Sequence, residues 1–549
     1  MRFGINCIKT NLDWRGDIMY KLVGENDINN AREQVLKNRG ITEELLAVGE
    51  EAVEDYMNYD NIIEGCELLM KHIEEGNKIL VIIDSDVDGI TSASLLTNYI
   101  WREFPTADII LQHHESKQHG LSNDILIRDD VKLVVIPDAG TNDKKEIEEL
   151  YKRGIEVLVI DHHELEGEYP TCGILINNQT SPRVKNKHLS GVGVVYKFLC
   201  AFADTFFLEE PTEFIDLVSL GMIADAMDAR SEETRYYIKE GLKHVKNPFF
   251  KALTEEKKLG VYKPLGIMDI GWGIAPLING TIRSGTIIEK QKLYTAMIYQ
   301  RDCDTIAKMC KNAKSRQDSA VKRDMTKIEK TLVINEGDRI IIASSCGATK
   351  SKTGLIAGKL CSKYKLPVLL YSSEGDLCSG SARGLGEIDL KEDLNASGLG
   401  NGVGHGNAFG FSFKKEDESK VKEYFNELYK DVEFGEDVNL VDFEVYPFEL
   451  YQEFVDEIAS MEGEWGNGVD APMIAIKDVP LDLTEENIKG KLNVIWDIYG
   501  VMCIKRFTSN VWKEEFIGKK KTVDIVARFV TDNFTGEGSL EIVEVIPTK

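Results

Sequence analysis

No stretch of this 549-residue chain offers the roughly 18 uninterrupted apolar residues that a bilayer-spanning helix needs. The start, MRFGINCIKTNLDW, lacks the apolar centre of a signal peptide, so a cytoplasmic location without a membrane partner is the expectation. Cysteine pairs are also missing. The ten cysteines are scattered singly from Cys7 to Cys503 with no C-x-x-C, which argues against a zinc or disulfide framework. Any metal must then use oxygen and imidazole ligands. Positive charge is in deficit, with 66 Lys+Arg against 92 Asp+Glu and a net charge of -26. That balance works against non-specific nucleic-acid binding over the whole surface, so a nucleic-acid partner requires a local basic channel. No repeat of solenoid length stands out.

What remains is ordinary globular material, 43% hydrophobic and 29% charged, at a length that makes about three to five domains. Residues 1–70 are polar and helix-leaning, as in ITEELLAVGEEAVEDYM, and read as a helical N-terminal extension without chemistry. From Lys78, short β-branched runs alternate with helical stretches: KILVIID, ADIILQHH, KLVVIPD, a helix near KKEIEELYKRG, then VLVIDHH. Such alternation predicts a parallel α/β sheet, here in a domain over 71–285. Residues 190–245 read mostly as helices, and 286–335 as a long charged connector helix without proline. A second α/β unit is expected over 336–436, with RIIIASS, a helix through GLIAGKLCSKY, PVLLYSS and the glycine-rich run 398–410. Residues 437–549 are strand-rich and suggest a small β-barrel.

The informative feature is where the acids stand. Ligands of an open parallel sheet bind beyond the carboxyl ends of its strands. Three predicted strands run directly into acid or imidazole: KILVII into Asp84, Asp86 and Asp88; KLVVIP into Asp138; VLVI into Asp161, His162 and His163. So many carboxylates repel one another in a partly desolvated cleft unless a cation neutralises them, and mixed carboxylate and imidazole donors suit manganese, or magnesium with more water. A divalent metal site, with two metals, is the reading. Each piece alone has a plainer one. Asp84-Ser85-Asp86-Val87-Asp88-Gly89 could open a calcium loop, but the twelfth position, which should be Glu, is Leu95. It could also be a turn with Asp capping a helix, and adjacent histidines can be surface residues.

Asp84, Asp86 and Asp88-Gly89, then Asp138, then Asp161-His162-His163, then Asp225 in LVSLGMIADAMD, resemble in order the four motifs of the DHH phosphoesterases. Within that superfamily the chain is similar to the RecJ-type single-strand-specific DNA exonucleases. IAPLINGTIRSG (274–285) resembles their Pro-x-x-Asn-x-x-x-Arg segment, GSARG (380–384) their Ser-x-Arg phosphate element, and GHGNAFGF (404–411) the terminal motif of the DHH-associated domain. EWGNGVDAPMIAIKDV (464–479) is similar to the start of their oligonucleotide-binding barrel. The resemblance covers residues from about 78 to 549. It implies a parallel-sheet DHH domain, a long helix, a second α/β DHH-associated domain and a C-terminal OB-like β-barrel.

It further implies a metal-dependent exonuclease that degrades single-stranded DNA from the 5′ end to nucleotides, in recombination, repair or phage replication, with two divalent ions, Mn2+ or Mg2+. Asp84, Asp86, Asp88, Asp138, His162 and Asp225 would hold the metals, with Asp138 bridging. His163 would donate to the phosphoryl oxygens, and Asp161 would orient the motif. Arg283 and Arg383 can each fork two hydrogen bonds to a terminal 5′ phosphate, and Ser381 adds a hydroxyl. Asn279 and His405 complete the implied substrate set. Implied partners are single-stranded DNA and a single-strand-binding protein or helicase. Lysines at 350, 352, 359 and 363, at 308, 311 and 314 with Arg316, and around Lys505, Arg506, Phe507 and Trp512 suit a single strand, or are solvated faces. Two departures stand out: Ile82 replaces a histidine two residues before Asp84, and LQHHESKQHGLS carries His113, His114 and His119 where the family has an arginine and a tyrosine. The rivals are a small-substrate DHH phosphodiesterase acting on oligonucleotides, adenosine bisphosphate or cyclic dinucleotides, and a non-catalytic replication-complex subunit.

Overall fold

The computed structural model describes residues 20–114, 118–121, 125–261, 263–434, 438–490, 492–532 and 535–548. The β-branched runs form a five-stranded parallel sheet: β1 Lys78–Ile83, β2 Ile109–His113, β3 Val131–Pro137, β4 Glu156–Asp161 and β5 Ile174–Asn177. Parallel strands covered on both faces are apolar throughout, which is why these runs do not alternate. Their period of two survives as two separate cores. Ile79, Val81, Ile83, Leu133, Val135, Leu158 and Ile160 face one layer, with helices α1 Val87–Glu103, α2 Gly191–Phe206 and α3 Ile215–Ala224. Leu80, Ile82, Val134, Ile136, Val157 and Val159 face the other, with Ile147 and Leu150. Each such aliphatic side chain contributes about 1.5–3 kcal/mol on burial. The strand order β2-β1-β3-β4-β5 reverses direction between β1 and β3. An open sheet binds its ligand at such a switch point, beyond the strands' carboxyl ends.

After a π-helical turn, Asp269–Ile274, come α4 Ala275–Ser284, α5 Ile287–Tyr299 and α6 Cys303–Thr331. The connector is thus two helices, broken at Gln300 and Asp302, whose φ angles are 55° and 54°. The 29 residues of α6 span roughly 43 Å at 1.5 Å per residue. Ile306, Ala307 and Cys310 belong to the first domain's core, whereas Val321 and Ile328 belong to the core of the second α/β unit. One helix therefore fastens both units. The second unit has a mixed sheet of β6 Ile341–Ser344, β7 Val368–Glu374, β8 Leu377–Arg383, β9 Gly400–His405 and β10 Ala408–Lys414, in the order β9-β10-β8-β7-β6, with helix α7 Lys350–Tyr364 against it. The glycine-rich run forms much of the β9–β10 hairpin. Phe409, Phe411 and Phe413 alternate into the core and fix its register.

The C-terminal region is a seven-stranded sheet that includes Met473–Asp482, Asn493–Ile498, Val501–Lys505, Lys520–Thr531 and Gly538–Pro547. The strand-rich expectation holds, and among the described residues the edge strands, Phe443–Val445 and Ile488–Lys489, do not pair with each other to close a barrel. The N-terminal segment is not a separate extension. Tyr20–Leu22 pairs in parallel with Asn439–Val441, and Ala31, Val35 and Leu36 share a core with Phe443, Phe454 and Trp465. The Arg39 guanidinium clasps the buried Asp442 carboxylate. Helix Ile62–Glu74 crosses the boundary drawn at residue 70 and packs into the first domain instead. No helix among the described residues is long and apolar enough to cross a membrane.

Candidate metal centre

β1 delivers the chain to Asp84, and Asp86 then caps α1, accepting the Gly89 N–H at 3.1 Å. A Cβ on Gly89 would stand 2.8 Å from the Asp84 Cα, so only glycine lets α1 begin this close behind the strand. β3 delivers Asp138 with φ 68°, a left-handed conformation that Asp tolerates better than most residues. Asp138 and the start of α2 also meet without spare room, for a Cβ on Gly191 would stand 2.6 Å from the Asp138 Cγ. β4 delivers Asp161, His162 and His163. Asp225 closes the C-terminal end of α3.

These side chains converge. The His162 Nε2 lies 3.3 Å from Asp138 Oδ1, 3.6 Å from Asp225 Oδ2 and 4.0 Å from Asp88 Oδ2. Ligand atoms of Asp84, Asp86 and Asp138 fall within 4.8 Å of one another, as do those of Asp88, His162 and Asp225, and those of Asp138, Asp161, His162 and His163. Asp138 thus joins two of the groups. Its Oδ1 is buried without a hydrogen-bond partner, a condition that costs about 1–3 kcal/mol unless something satisfies it. Burial pushes the Asp138 carboxyl well up, and the charges of Asp88, Asp86 and Asp84 push it further. Burial followed by Asp88 and Asp86 raises Asp225 to about 8, and burial also raises Asp84 and Asp88. Carboxylates in this state are mutually repelled until a cation arrives. Burial lowers His162, which leaves its imidazole neutral and able to ligate. The orphan oxygen, the repelling carboxylates and the neutral imidazole fit a divalent cation with oxygen and nitrogen donors.

Two of the expected residues serve chiefly to hold others. Asp88 accepts the Ser190 hydroxyl at 2.9 Å, the Gly191 N–H at 2.6 Å and the Val192 N–H at 3.2 Å. Both its oxygens are therefore engaged in fastening the amino end of α2 to α1, which disfavours it as a direct ligand. Asp161 accepts the His163 Nδ1–H at 2.8 Å and the His162 N–H at 2.7 Å on one oxygen, and the Thr141 hydroxyl at 2.6 Å and N–H at 3.1 Å on the other. Burial works to raise Asp161, but the His163 hydrogen bond and charge override it and hold the carboxyl well below the usual range. In return, burial is overridden at His163, whose pKa rises to about 9.

Known proteins resemble this chain in sequence and in fold. A family model described as "DHH family, N-terminal domain" matches residues 78–222. The protein named SPbeta prophage-derived single-strand DNA-specific exonuclease YorK, from Bacillus subtilis (strain 168), is 37% identical over 509 residues, covering 86% of this chain and 87% of its own. This chain belongs to the DHH family. Another relative, the single-stranded-DNA-specific exonuclease RecJ of Bacillus subtilis (strain 168), is 25% identical over 380 residues, covering 66% of this chain and 47% of its own. The crystal structure of RecJ in complex with Mn2+ from Thermus thermophilus superposes with a TM-score of 0.72 at 19% identity, covering 94% of this chain and 76% of that one.

In this DHH chain the metal-type cluster opens into a cavity of about 900 Å³ between the first sheet, α4, α6 and the second unit. Asn279, Arg283, Ser381 and Arg383 all line it, together with Asp86, Asp225 and His163. The Arg283 Nε and the Asn279 Oδ1 are buried without hydrogen-bond partners. Burial lowers the Arg383 pKa, and the nearby charge of Arg283 lowers it further. Neither guanidinium forms an ion pair among the described residues, while the neighbouring Lys314 and Lys350 pair with Asp318 and Glu374. Ser381 shares a 2.8 Å hydrogen bond with Thr353 of α7. The His405 backbone pairs with Ala408, and its side chain lies outside the described residues.

The sequence reading left other contributors unassigned. His119 lines the cavity and bonds Asp84 Oδ2 through Nδ1 at 2.6 Å, and the Gly120 N–H donates to Asp84 Oδ1 at 3.3 Å. His114 is buried with Nε2 3.9 Å from Asp84 Oδ1. The cluster of three histidines was visible in the sequence, but its link to Asp84 was not. Asn177 bonds the Thr141 hydroxyl and the His163 carbonyl, completing the support of that histidine. Lys505, by contrast, turns inward to the carbonyls of Ile542 and Val543 and presents no ammonium to a phosphate.

Proposed function

We propose that this chain is a metal-dependent exonuclease that removes nucleotides from the 5′ end of single-stranded DNA. One observation carries the reading: an acid and imidazole cluster suited to divalent cations shares its cavity with two guanidiniums that have no acidic partner among the described residues. The names of its relatives support the substrate. Asp84, Asp86, Asp138, Asp225 and His162 would hold two cations, Mn2+ or Mg2+, with Asp88 fixing the helices behind them. Bound there, the cations would lower the pKa of a water and neutralise charge at phosphorus.

The chain's own groups do the rest. Arg283 and Arg383 clamp the terminal 5′ phosphate, with Ser381 as a further donor, and so decide which end is cut. Asn279 adds a polar contact beside them. His163, held by Asp161 and carrying a proton at neutral pH, donates to a phosphoryl oxygen from its cavity-facing side. Such a strand must already be single, so a helicase or a single-strand-binding protein is the partner this reading implies. The work would lie in the cytoplasm, in recombination, repair or phage replication.

A manganese-dependent digestion of strands labelled at either end tests the proposal. Early release of the 5′ label, and faster loss of long 5′-phosphorylated strands than of dinucleotides, is expected. Release of the 3′ label first overturns the polarity, and a preference for dinucleotides overturns the substrate.

A further inference from the structure

The cavity-lining face of α4 does not end at the cavity. Asn279 and Arg283 line it from α4, preceded by Ala275 and Pro276 and, on the π-helical turn, Gly271. One turn before Pro276 on that face stands Trp272, which is 76% exposed. It is the most exposed tryptophan among the described residues; Trp465 and Trp496 are buried. An indole left in water has no packing role to explain it, and a large ring is otherwise among the best groups to bury. Its place is equally specific. A Cβ on Gly271 would stand 3.7 Å from Cγ2 of Ile223, two residues before Asp225, so Trp272 lies towards the metal end of the stripe and Arg283 at the other. Eleven residues of helix separate them, roughly 16 Å. The same π-helical turn contributes Asp269 to a second groove, whose lining includes Lys258, Lys263 and Arg506. That groove is balanced in charge, because Glu462 and Glu541 also line it and pair with Lys263 and Arg506, so Trp272 sits on the segment between the cavity and a groove of mixed charge.

We propose that Trp272 is a stacking residue for a nucleobase on the 3′ side of the scissile phosphate, where the strand leaves the metal centre. The inference rests on the single-strand reading above. A ring face accepts any base, so the contact positions the strand without reading its sequence. With the terminal phosphate held at Arg283 and Arg383 and a base held at Trp272, the phosphodiester between them is drawn across the carboxylate cluster.

Fluorescence anisotropy of a 3′-labelled, 5′-phosphorylated oligothymidylate tests this with the full-length chain carrying Asp138→Asn, so that the strand stays intact. Trp272→Ala should weaken affinity about 5- to 150-fold, the range of one lost base stack, and Trp272→Phe should keep most of it. Abasic sugars placed one at a time from the 5′ end should weaken binding at a single position in the Trp272 protein and have no effect there in Trp272→Ala. Equal affinity of all three proteins, or abasic effects that do not change with the side chain, overturns the stacking role alone. Absence of any strand binding by the Trp272 protein overturns the single-strand reading together with it.

Discussion

Replacing Arg383 by methionine separates recognition of the 5′ end from the chemistry of the cleft. In the folded chain this guanidinium is half-buried, feels the charge of Arg283 and has no acidic partner among the described residues, so a 2.6 Å hydrogen bond to the Ala382 carbonyl offsets only part of its desolvation and repulsion. Removing the charge while keeping the length should leave thermal stability unchanged or slightly raised. Against a terminal phosphate the same guanidinium supplies charge-assisted hydrogen bonds, each contributing about 1.5–3 kcal/mol. Loss of about 2–3 kcal/mol corresponds to a fall of roughly 30- to 150-fold in kcat/KM on 5′-phosphorylated strands. On 5′-hydroxyl strands, where the clamp has nothing to hold, the two proteins should differ little. Arg383→Lys should recover only part of the loss, because an ammonium cannot fork to two oxygens. The assay is a four-way comparison of two proteins and two strand ends. Equal losses on both ends would refute the clamp and return Arg383 to a structural role.

Four further outcomes are expected. Asp138→Asn relieves the repulsion in the metal-free cluster, so calorimetry should show an unchanged or raised Tm without metal and no rise on adding Mn2+, where the parent gains about 2.7 kcal/mol at a hundredfold excess over Kd. Gly89→Ala places a Cβ against the Asp84 backbone and should abolish Mn2+ binding in titration calorimetry while circular dichroism retains the fold. Asp161→Asn frees His163 from its anchor and should slow turnover with the Mn2+ affinity nearly kept, as followed by paired kinetics and calorimetry. Arg39→Ala leaves the buried Asp442 unpaired and should destabilise the C-terminal sheet by about 3–5 kcal/mol in chemical denaturation.

Much of the site was legible because its signals are local. Each β-branched run ends in its acid or histidine within a residue or two, and strand ends in a parallel sheet share a rim, so Asp84, Asp138 and Asp161–His163 could be placed together before any coordinates. The hairpin over 400–414 was not foreseen although its period of two was present: Phe409, Phe411 and Phe413 alternate with Gly410 and Ser412, but the glycines at 400, 402, 404 and 406 carry no side chain to continue the pattern. The N-terminal segment was misplaced for a different reason. A three-residue strand such as Tyr20–Leu22 carries too little pattern to announce a partner at Asn439–Val441, over four hundred residues away.

The sequence by itself determined the chemistry of the side chains and the order in which the sheet presents them, since both follow from short-range periodicity and composition. Tertiary structure alone decided which carboxylates remain open to a cation. Asp88 and Asp161 have the same functional group as Asp138, yet the first two have their oxygens occupied by Ser190, Gly191, Thr141 and the histidines, while Asp138 keeps a buried oxygen without a partner. It also decided that Arg283 and Arg383 should line one cavity with no acidic partner among the described residues. Hydrogen-bond saturation and desolvation depend on neighbours brought from distant parts of the chain, and those neighbours exist only once the two α/β units are fastened along a single helix.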